Sequence, residues 1–172
     1  MEIEIREAEP GDARGIARVH LASWRAAYTG IVSDKWLSEQ TPDNREESWT
    51  KSLNEIRKGR KIFVALRASE IFGFAVAGPS RDPRYEDYAE LWAIYIPPAH
   101  FGAGGGRALL SAAATHIRDL GYDRMFVNVL RDNKIGRAFY ERMGGQLIEG
   151  SAGKVPLGDQ DYDDIKYQWK EL

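Results

Sequence analysis

The sequence predicts an α+β domain built around a mixed β-sheet. Short apolar or alternating segments, typical of strands, are interleaved with longer segments whose apolar residues recur every three or four positions, as in helices. The inferred order is a strand, helices, three strands, a helix, a strand, a helix and two strands. The 172 residues are 43% hydrophobic and contain no internal repeat. We therefore expect residues 1–172 to form a single domain with one core.

The first third of the chain predicts a strand followed by helices. Residues 2–6 alternate between polar and apolar, and a Pro-Gly turn places Asp12 to cap the next helix. Ser33 is placed to cap a short helix. Thr41 and the proline after it begin another helix, which we expect to end near Gly59.

The rest of the chain predicts a hairpin, a central strand and helix, and a closing strand–helix–strand–strand unit. Gly121 is expected to end the central helix, and Asp132 to cap a helix over residues 133–143. A polar loop is expected over residues 151–161. The strands are expected at residues 62–66, 71–77, 91–96, 124–130, 146–149 and 162–169.

A glycine cluster separates the central strand from its helix. The cluster follows two prolines and comprises Gly102, Gly104, Gly105 and Gly106. A strand, a glycine-rich turn and a helix N-terminus form a geometry that binds anionic phosphate. Glycines also suit a backbone that a ligand must approach closely. A flexible surface turn would give the same composition, so the cluster alone leaves both interpretations open.

Two common phosphate motifs do not fit this cluster. A P-loop requires Lys and then Ser or Thr after its last glycine, whereas Arg107 and an alanine follow here. The dinucleotide pattern would require a glycine where Arg107 stands.

Composition excludes several other classes of protein. The net charge of -2 argues against a nucleic-acid partner. The absence of cysteine excludes disulfides, thiolate metal sites and a cysteine nucleophile. The sequence shows neither a signal peptide nor a long apolar run, so we expect a cytoplasmic protein with no membrane partner.

Residues 101–106 resemble the acetyl-CoA-binding motif of the GCN5-related N-acetyltransferases. That motif reads (Gln/Arg)-x-x-Gly-x-(Gly/Ala), and its two small positions fall on Gly104 and Gly106. Phe101 departs from the usual Arg or Gln, which removes a hydrogen-bond donor but leaves the backbone amides unaffected. Gly105 also departs, since an aliphatic residue is usual there.

A second segment, residues 133–144, is similar to the family's Asn-x-x-(Ala/Gly)-x-x-(Phe/Leu)-Tyr-x-x-x-Gly motif. The resemblance implies that Asn133 contacts the pantetheine arm or a phosphate and that Tyr140 protonates the departing thiolate. Taken alone, Asn133 could be a helix-start residue and Tyr140 a core aromatic. Gly145 stands where the family usually has Phe, which is a difference in packing.

The resemblance covers nearly the whole chain and implies a mixed, mostly antiparallel sheet flanked by helices. It implies acetyl-CoA as co-substrate and no metal. The central strand would splay from its neighbour and expose main-chain groups to the pantetheine arm. The implied contacts are Ile94, Tyr95 and Ile96 for the pantetheine arm and acetyl carbonyl, and Gly102, Ala103, Gly104, Gly105, Gly106 and Arg107 for the pyrophosphate.

Acetyl transfer to an amine also requires a base, because a free amine is protonated at neutral pH. Glu90 occupies a place where many family members have a catalytic Glu. Strand alternation places it on the face of Trp92 and Ile94, where partial burial would raise its pKa. A solvated or ion-paired strand-end Glu is the alternative. Other candidates are the acids Glu86 and Asp87 and the bases His20 and His100.

The acceptor site is expected at Ser23, Trp24, Tyr28 and Glu90, with loops 79–87 and 151–161 around it. Acidic residues in these loops would favour a cationic amine, although an ordinary solvated loop has the same composition. These acids are Asp82, Glu86, Asp87, Asp159 and Asp161.

We therefore expect an acetyl-CoA-dependent N-acetyltransferase that transfers acetyl directly to a primary amine within a ternary complex. The alternatives are a non-catalytic acyl-CoA-binding or regulatory domain, and an enzyme that acetylates a protein N-terminus or lysine. Homodimers are common in such families, and the sequence identifies no interface.

Overall fold

The computed structural model of the protein describes residues 2–172. Its strands are β1 (Glu4–Glu7), β2 (Lys61–Arg67), β3 (Glu70–Pro79), β4 (Ala89–Tyr95), β5 (Met125–Leu130), β6 (Gln146–Leu147), β7 (Gly153–Leu157) and β8 (Gln160–Trp169). Its α-helices are α1 (Ala13–Tyr28), α2 (Asp34–Glu39), α3 (Pro42–Asn54), α4 (Gly105–Asp119) and α5 (Lys134–Arg142). Short 3₁₀ turns lie at Pro10–Asp12, Pro83–Tyr85 and Pro98–His100.

All eight strands join one sheet, in the order β1-β2-β3-β4-β5-β8-β6, with β7 also paired to β8. The β4–β5 pair is parallel, and every other pair is antiparallel. Helices cover both faces of the sheet. The predicted α+β class, with a mixed, mostly antiparallel sheet flanked by helices, is confirmed.

Two apolar clusters cover the two faces of the sheet. On one face, Leu109, Ala113 and Ile117 of α4 are fully buried against β2 to β4, and Tyr140 of α5 joins the same cluster. On the other face, Ile16 and Val19 of α1 pack against β2 and β3. At about 25 cal/mol per Å² of buried apolar area, such clusters supply most of the stabilisation of a domain of this size.

A β-bulge in β4 changes which side chains face which helix. Leu91 pairs with Ala77 and Ala93 with Val76, so Trp92 is the extra residue. Beyond the bulge, Ile94 packs against the α4 cluster, whereas Trp92 packs against the α1 cluster. The expectation that Glu90, Trp92 and Ile94 share one face is therefore wrong for Ile94, because the inserted residue reverses the alternation.

The parallel strands β4 and β5 pair at two positions and then separate. The pairs are Ala89 with Met125 and Glu90 with Phe126. The C-terminal halves of both strands diverge, which is the splay that the family resemblance implies. The main-chain groups facing this gap are therefore left unpaired across it.

Several local expectations need correction. Asp12 does not cap α1, because its carboxylate pairs with Arg6 at 2.7 Å and accepts from the backbone N–H of Glu9 at 2.8 Å. The side chain that caps α5 is that of Asn133, not Asp132, with Oδ1 accepting from the N–H of Gly136 at 3.0 Å.

Element boundaries also differ from expectation. α3 ends at Asn54, not near Gly59, and β6 has two residues instead of four. The loop expected over residues 151–161 contains β7, which pairs with β8 as a hairpin. Two caps agree with expectation. Ser33 accepts from the N–H of Trp36 at 3.1 Å, and Gly121 ends α4 with φ of +93°.

Candidate active site

A cavity of about 620 Å³ occupies the gap between β4 and β5. It is lined from both faces of the sheet. The N-terminus of α4 and the α5 residues Phe139 and Tyr140 line it on one side. The α1 residues Ser23 and Tyr28 and strand β7 line it on the other. The gap between the two strands thus opens towards the helices on both faces of the sheet.

The α4 end of the cavity has the properties of an anion site. Gly104 is the N-cap residue and has no side chain with which to cap the helix, so the first-turn N–H groups stay available. These groups and the helix dipole favour negative charge at this point. The lining includes Gly102, Gly104, Gly105 and Gly106. The predicted phosphate geometry is therefore present in the backbone.

The glycines serve different structural needs. Gly104 has φ of +88°, a region that a residue with a Cβ adopts at a cost. Gly105 instead sits against Phe72, where a Cβ would come within 2.5 Å of the ring. A Cβ on Gly106 would come within 2.8 Å of Phe139. The start of α4 can therefore approach β3 at Gly105 and α5 at Gly106, and this close packing requires glycine at both positions whether or not a ligand is bound.

The predicted contacts of the cofactor divide into two groups. Ile94, Tyr95 and Ile96 of β4 line the cavity, as do the four glycines. Ala103 and Arg107 lie beside this lining without joining it, and the Arg107 side chain is exposed. Phe101, at the departing motif position, is 52% exposed at the cavity mouth.

Asn133 lies buried at the cavity wall with its carbonyl oxygen used as the cap of α5. Gly136 makes this possible, because a Cβ there would come within 2.8 Å of the Asn133 amide nitrogen. The helix-start role, which the sequence left as an alternative, is thus present. Among the described residues the side-chain NH₂ group has no hydrogen-bond partner, and Asn133 is part of the cavity lining.

Three tyrosines meet in the cavity. The hydroxyl groups of Tyr28 and Tyr95 lie 3.2 Å apart. Burial raises the pKa of Tyr140, and the nearby Tyr95 raises it further. Burial likewise raises the pKa of Tyr28, with Tyr95 again contributing. Within residues 2–172 no group hydrogen-bonds the Tyr140 hydroxyl, so a protonated O–H points into the site without a partner.

Glu90 is buried, but its carboxylate does not line the cavity. Oε2 accepts from the N–H and the Nε of Arg81, at 2.9 and 3.1 Å. Oε1 accepts from Nη2 of Arg81 at 2.6 Å and from Nδ2 of Asn128 at 3.3 Å. Asn128 does line the cavity. The ion-paired alternative is thus the arrangement found, and Asn128 links Glu90 to the site.

His20 is an aromatic-core residue. Its Nδ1 accepts from Nε1 of Trp49 at 3.1 Å, and the rings of Trp24, Phe74 and Tyr95 surround it. Burial lowers the pKa of His20 to about 3, with Arg45 contributing. Since it lies outside the cavity lining, it has no access to an acceptor. His100 does line the cavity and packs on Phe72 at 5.2 Å between ring centroids.

The acceptor side of the cavity differs from expectation. Ser23 and Tyr28 line it, whereas Trp24 packs against Trp36 at 5.0 Å between ring centroids. Val155 and Leu157 of β7 contribute an apolar wall. Loop 79–87, which was expected here, is not part of the lining, and neither are the acids Asp82, Glu86, Asp87, Asp159 and Asp161.

Sequence reasoning missed Asp164, which lines the cavity and is 8% exposed. The signal was available in β8, where Asp164, Lys166 and Gln168 alternate with the apolar residues of the α4 cluster.

Among residues 2–172, His, Asp and Glu side chains form no group of three or more suited to hold a metal ion. In the same part of the chain, no helix is long and apolar enough to cross a membrane.

Comparison with known proteins gives consistent results. The model of the acetyltransferase (GNAT) family matches residues 23–145. The N-acetyltransferase YuaI of Bacillus subtilis is 34% identical over 132 residues, which are 76% of this chain and 73% of YuaI. A spermidine N(1)-acetyltransferase of Thermoplasma acidophilum is 24% identical over 95% of this chain and 99% of its own length.

Solved structures share the fold. The PaiA N-acetyltransferase of Thermoplasma acidophilum, crystallised in complex with coenzyme A, superposes with a TM-score of 0.73 at 21% identity, over 98% of this chain and all of its own. A GCN5-related N-acetyltransferase structure from Rhodopseudomonas palustris gives 0.76 at 17% identity, over 100% and 97% of the two chains. The family match spans well over half of the chain, and the fold agrees with it. The protein belongs to the GNAT family of N-acetyltransferases.

Proposed function

We propose that this protein transfers the acetyl group of acetyl-CoA directly to a primary amine within a ternary complex, as one domain spanning residues 1–172. The observation that carries the proposal is the cavity between β4 and β5. It joins an uncapped helix N-terminus at one end to a buried, unpartnered Tyr140 hydroxyl within, and it continues to a separate acceptor side.

The residues present fit acetyl-CoA. The first-turn amides of α4, from Gly104 to Arg107, would hold the pyrophosphate, and Gly102 and Ala103 would shape the preceding turn. The splayed main chain of Ile94, Tyr95 and Ile96 would hydrogen-bond the pantetheine arm, and the NH₂ of Asn133, which lines the same cavity, would donate to that arm or to a phosphate. When bound, acetyl-CoA supplies a thioester whose carbonyl carbon is open to attack by an amine.

Tyr140 is the proposed acid. As the C–N bond forms and the C–S bond breaks, negative charge develops on sulfur, and a buried hydroxyl donor stabilises it most where water is excluded. The raised pKa keeps the Tyr140 proton in place at neutral pH. The hydroxyl therefore remains a donor until the leaving sulfur takes the proton, and water then restores it. The N–H of Ile94 is the proposed donor to the carbonyl oxygen.

Glu90 is the proposed base, and it can act only when Arg81 leaves one of its carboxylate oxygens free. An incoming amine needs a free lone pair on the carboxylate or on a water that contacts it. Arg81 is half exposed, so its guanidinium can move aside, and Asn128 connects the carboxylate to the cavity. The amine proton would then pass to the Glu90 carboxylate directly or through such a water, since the Asn128 amide is a donor and cannot relay it.

A small amine is the proposed acceptor. The apolar wall of β7 and the small side chains of α1 bound the acceptor side of a 620 Å³ cavity, and Tyr28 contributes a hydroxyl there. Trp24 would act by packing α1 against α2, since it lies behind the wall. A relative that acetylates spermidine by name supports this class of acceptor over a protein N-terminus or lysine.

Acetyl-CoA binding, measured by calorimetry, tests the site. Gly104→Asp places a carboxylate where the pyrophosphate would lie, and we expect affinity to fall about tenfold or more. Gly104→Asn is the matched control, since Asn tolerates positive φ about as well and carries no charge. Equal losses in the two variants would mean that backbone strain, and not charge, governs binding.

Turnover, measured as CoA thiol release with a panel of amines, tests the chemistry. Tyr140→Phe should lower kcat by roughly a hundredfold with unchanged acetyl-CoA affinity. Tyr122→Phe, outside the cavity, is the control. Full turnover in Tyr140→Phe would exclude the acid role. Binding of acetyl-CoA without transfer to any amine would favour the non-catalytic alternative.

A further inference from the structure

Asp164 is the one acidic residue among the described residues that line the cavity, and nine-tenths of it is buried. β8 places it between Leu130 of β5 and Gly153 of β7. Its neighbour Ile165 packs into the α4 cluster, so the Asp164 side chain projects to the opposite face, where α1 lies. The carboxylate thus belongs to the acceptor side of the cavity.

The carboxylate forms no ion pair within residues 2–172, and four cations on β8 and neighbouring segments lie against other acids. Lys166 lies 3.5 Å from Asp82, and Arg84 pairs with Asp82 at 2.8 Å. Arg131 and Lys154 both pair with Asp163. A largely buried carboxylate without a partner is costly unless something at the site satisfies it.

The space beside the carboxylate is kept open. A Cβ on Gly153 would lie 2.9 Å from Oδ1 of Asp164, although φ at Gly153 does not itself require glycine. Ser23, which also lines the cavity, has a buried hydroxyl without a partner in the described chain. Val155 and Leu157 supply the aliphatic surface between these polar groups.

We propose that Asp164 is a specificity-determining residue that binds a positive charge on the acceptor, remote from the amine that is acetylated. The acceptor is then a small aliphatic diamine or polyamine. Its reacting nitrogen is a neutral amine that lies near Tyr140, and the ammonium at its other end pairs with Asp164. Charge-assisted hydrogen bonds to a buried carboxylate are among the stronger polar contacts in proteins. The inference rests on the proposed function and deepens it.

The test compares three acceptors of similar length: 1,4-diaminobutane with a cationic end, butylamine with an apolar end and 4-aminobutanoate with an anionic end. In wild type we expect the diamine to have a KM about tenfold or more below that of butylamine, with the anionic acceptor weakest. Asp164→Asn should lower the ratio of kcat/KM for the diamine to that for butylamine by about tenfold or more, which removes the advantage of the diamine.

Asp163→Asn is the matched control, because it removes the same charge one residue away, where the side chain pairs with Lys154 on the surface. Calorimetric binding of the diamine to the protein with CoA present gives a readout independent of turnover. Melting temperature and acetyl-CoA affinity of Asp164→Asn show whether that variant folds.

The outcomes separate the two proposals. A wild type that fails to bind acetyl-CoA overturns the proposed function. A wild type that binds acetyl-CoA but binds the diamine no better than butylamine overturns the role of Asp164 alone. So does an Asp164→Asn variant that keeps the preference for the diamine.

Discussion

The Glu90 carboxylate accepts four hydrogen bonds, which is about as many as its lone pairs allow. Three of the four come from Arg81. The same residue therefore both satisfies the buried charge and occupies the lone pairs that a base would need. Two roles are compatible with this geometry: a base released when Arg81 moves, or an anchor that holds the loop carrying Arg81.

Kinetics of Glu90→Gln and Arg81→Ala distinguish these roles. For a base, Glu90→Gln should lower kcat by roughly a hundredfold. Arg81→Ala should then keep kcat within about threefold while lowering the melting temperature, because a buried charge loses its partner.

An anchor predicts a different pattern. Both single variants would lose similar activity, and the double variant would lose no more than either, as residues acting as one unit do. That result would exclude Glu90 as the base.

At the scale of elements, the start of α4 depends on how closely a helix can approach a strand. Gly105→Ala should destabilise the protein by about 1–3 kcal/mol, since its Cβ would overlap the Phe72 ring in a packed core. Gly11→Ala is the control, with nothing within 4 Å of the added Cβ, and should change stability little. Urea unfolding measures both.

A second substitution shows whether the loss arises from that contact. Phe72→Leu makes room beside Gly105, so the cost of Gly105→Ala should shrink in that background. An unchanged cost would place the strain elsewhere in the turn.

The elements with strong patterns were predictable, and those set by tertiary pairing were not. The hairpin of β2 and β3 and the helix α4 follow from apolar periodicity. The bulge at Trp92 depends on how β4 pairs with β3, which alternation alone does not reveal. Strand β7 contains Pro156 and begins with glycine, so its local preference is weak and its pairing with β8 decides it.

Residues of the site were likewise predictable where they belong to a sequence motif and not where tertiary contacts alone bring them together. Tyr140, Asn133 and the glycines were reached through two motifs whose order and spacing match a family, and they line one cavity. Asp164 carries no motif, and it was found because the fold brings β8 and α1 to the same cavity. Arg81 was missed for a similar reason, since its partner lies nine positions along the chain, across a loop.

At the scale of the whole molecule, His20 couples global stability to pH. Burial holds its pKa at about 3 in the folded state, below the ordinary 6.5. Between these values the unfolded chain binds a proton that the folded protein does not, so stability is complete above pH 6.5 and falls as the pH decreases towards 3. Between about pH 6.5 and 4.5 the loss should reach roughly 2–3 kcal/mol.

Unfolding free energies from urea titrations across this window test the coupling. Arginines lower the pKa values of Asp12 and Asp82. Protonation of these carboxylates destabilises the protein only below about pH 4, so they do not contribute to the slope between pH 6.5 and 4.5. His20→Asn should flatten the slope, because Asn can still accept the Trp49 hydrogen bond and does not titrate. A steep slope that persists in His20→Asn would mean that another group is protonated on unfolding.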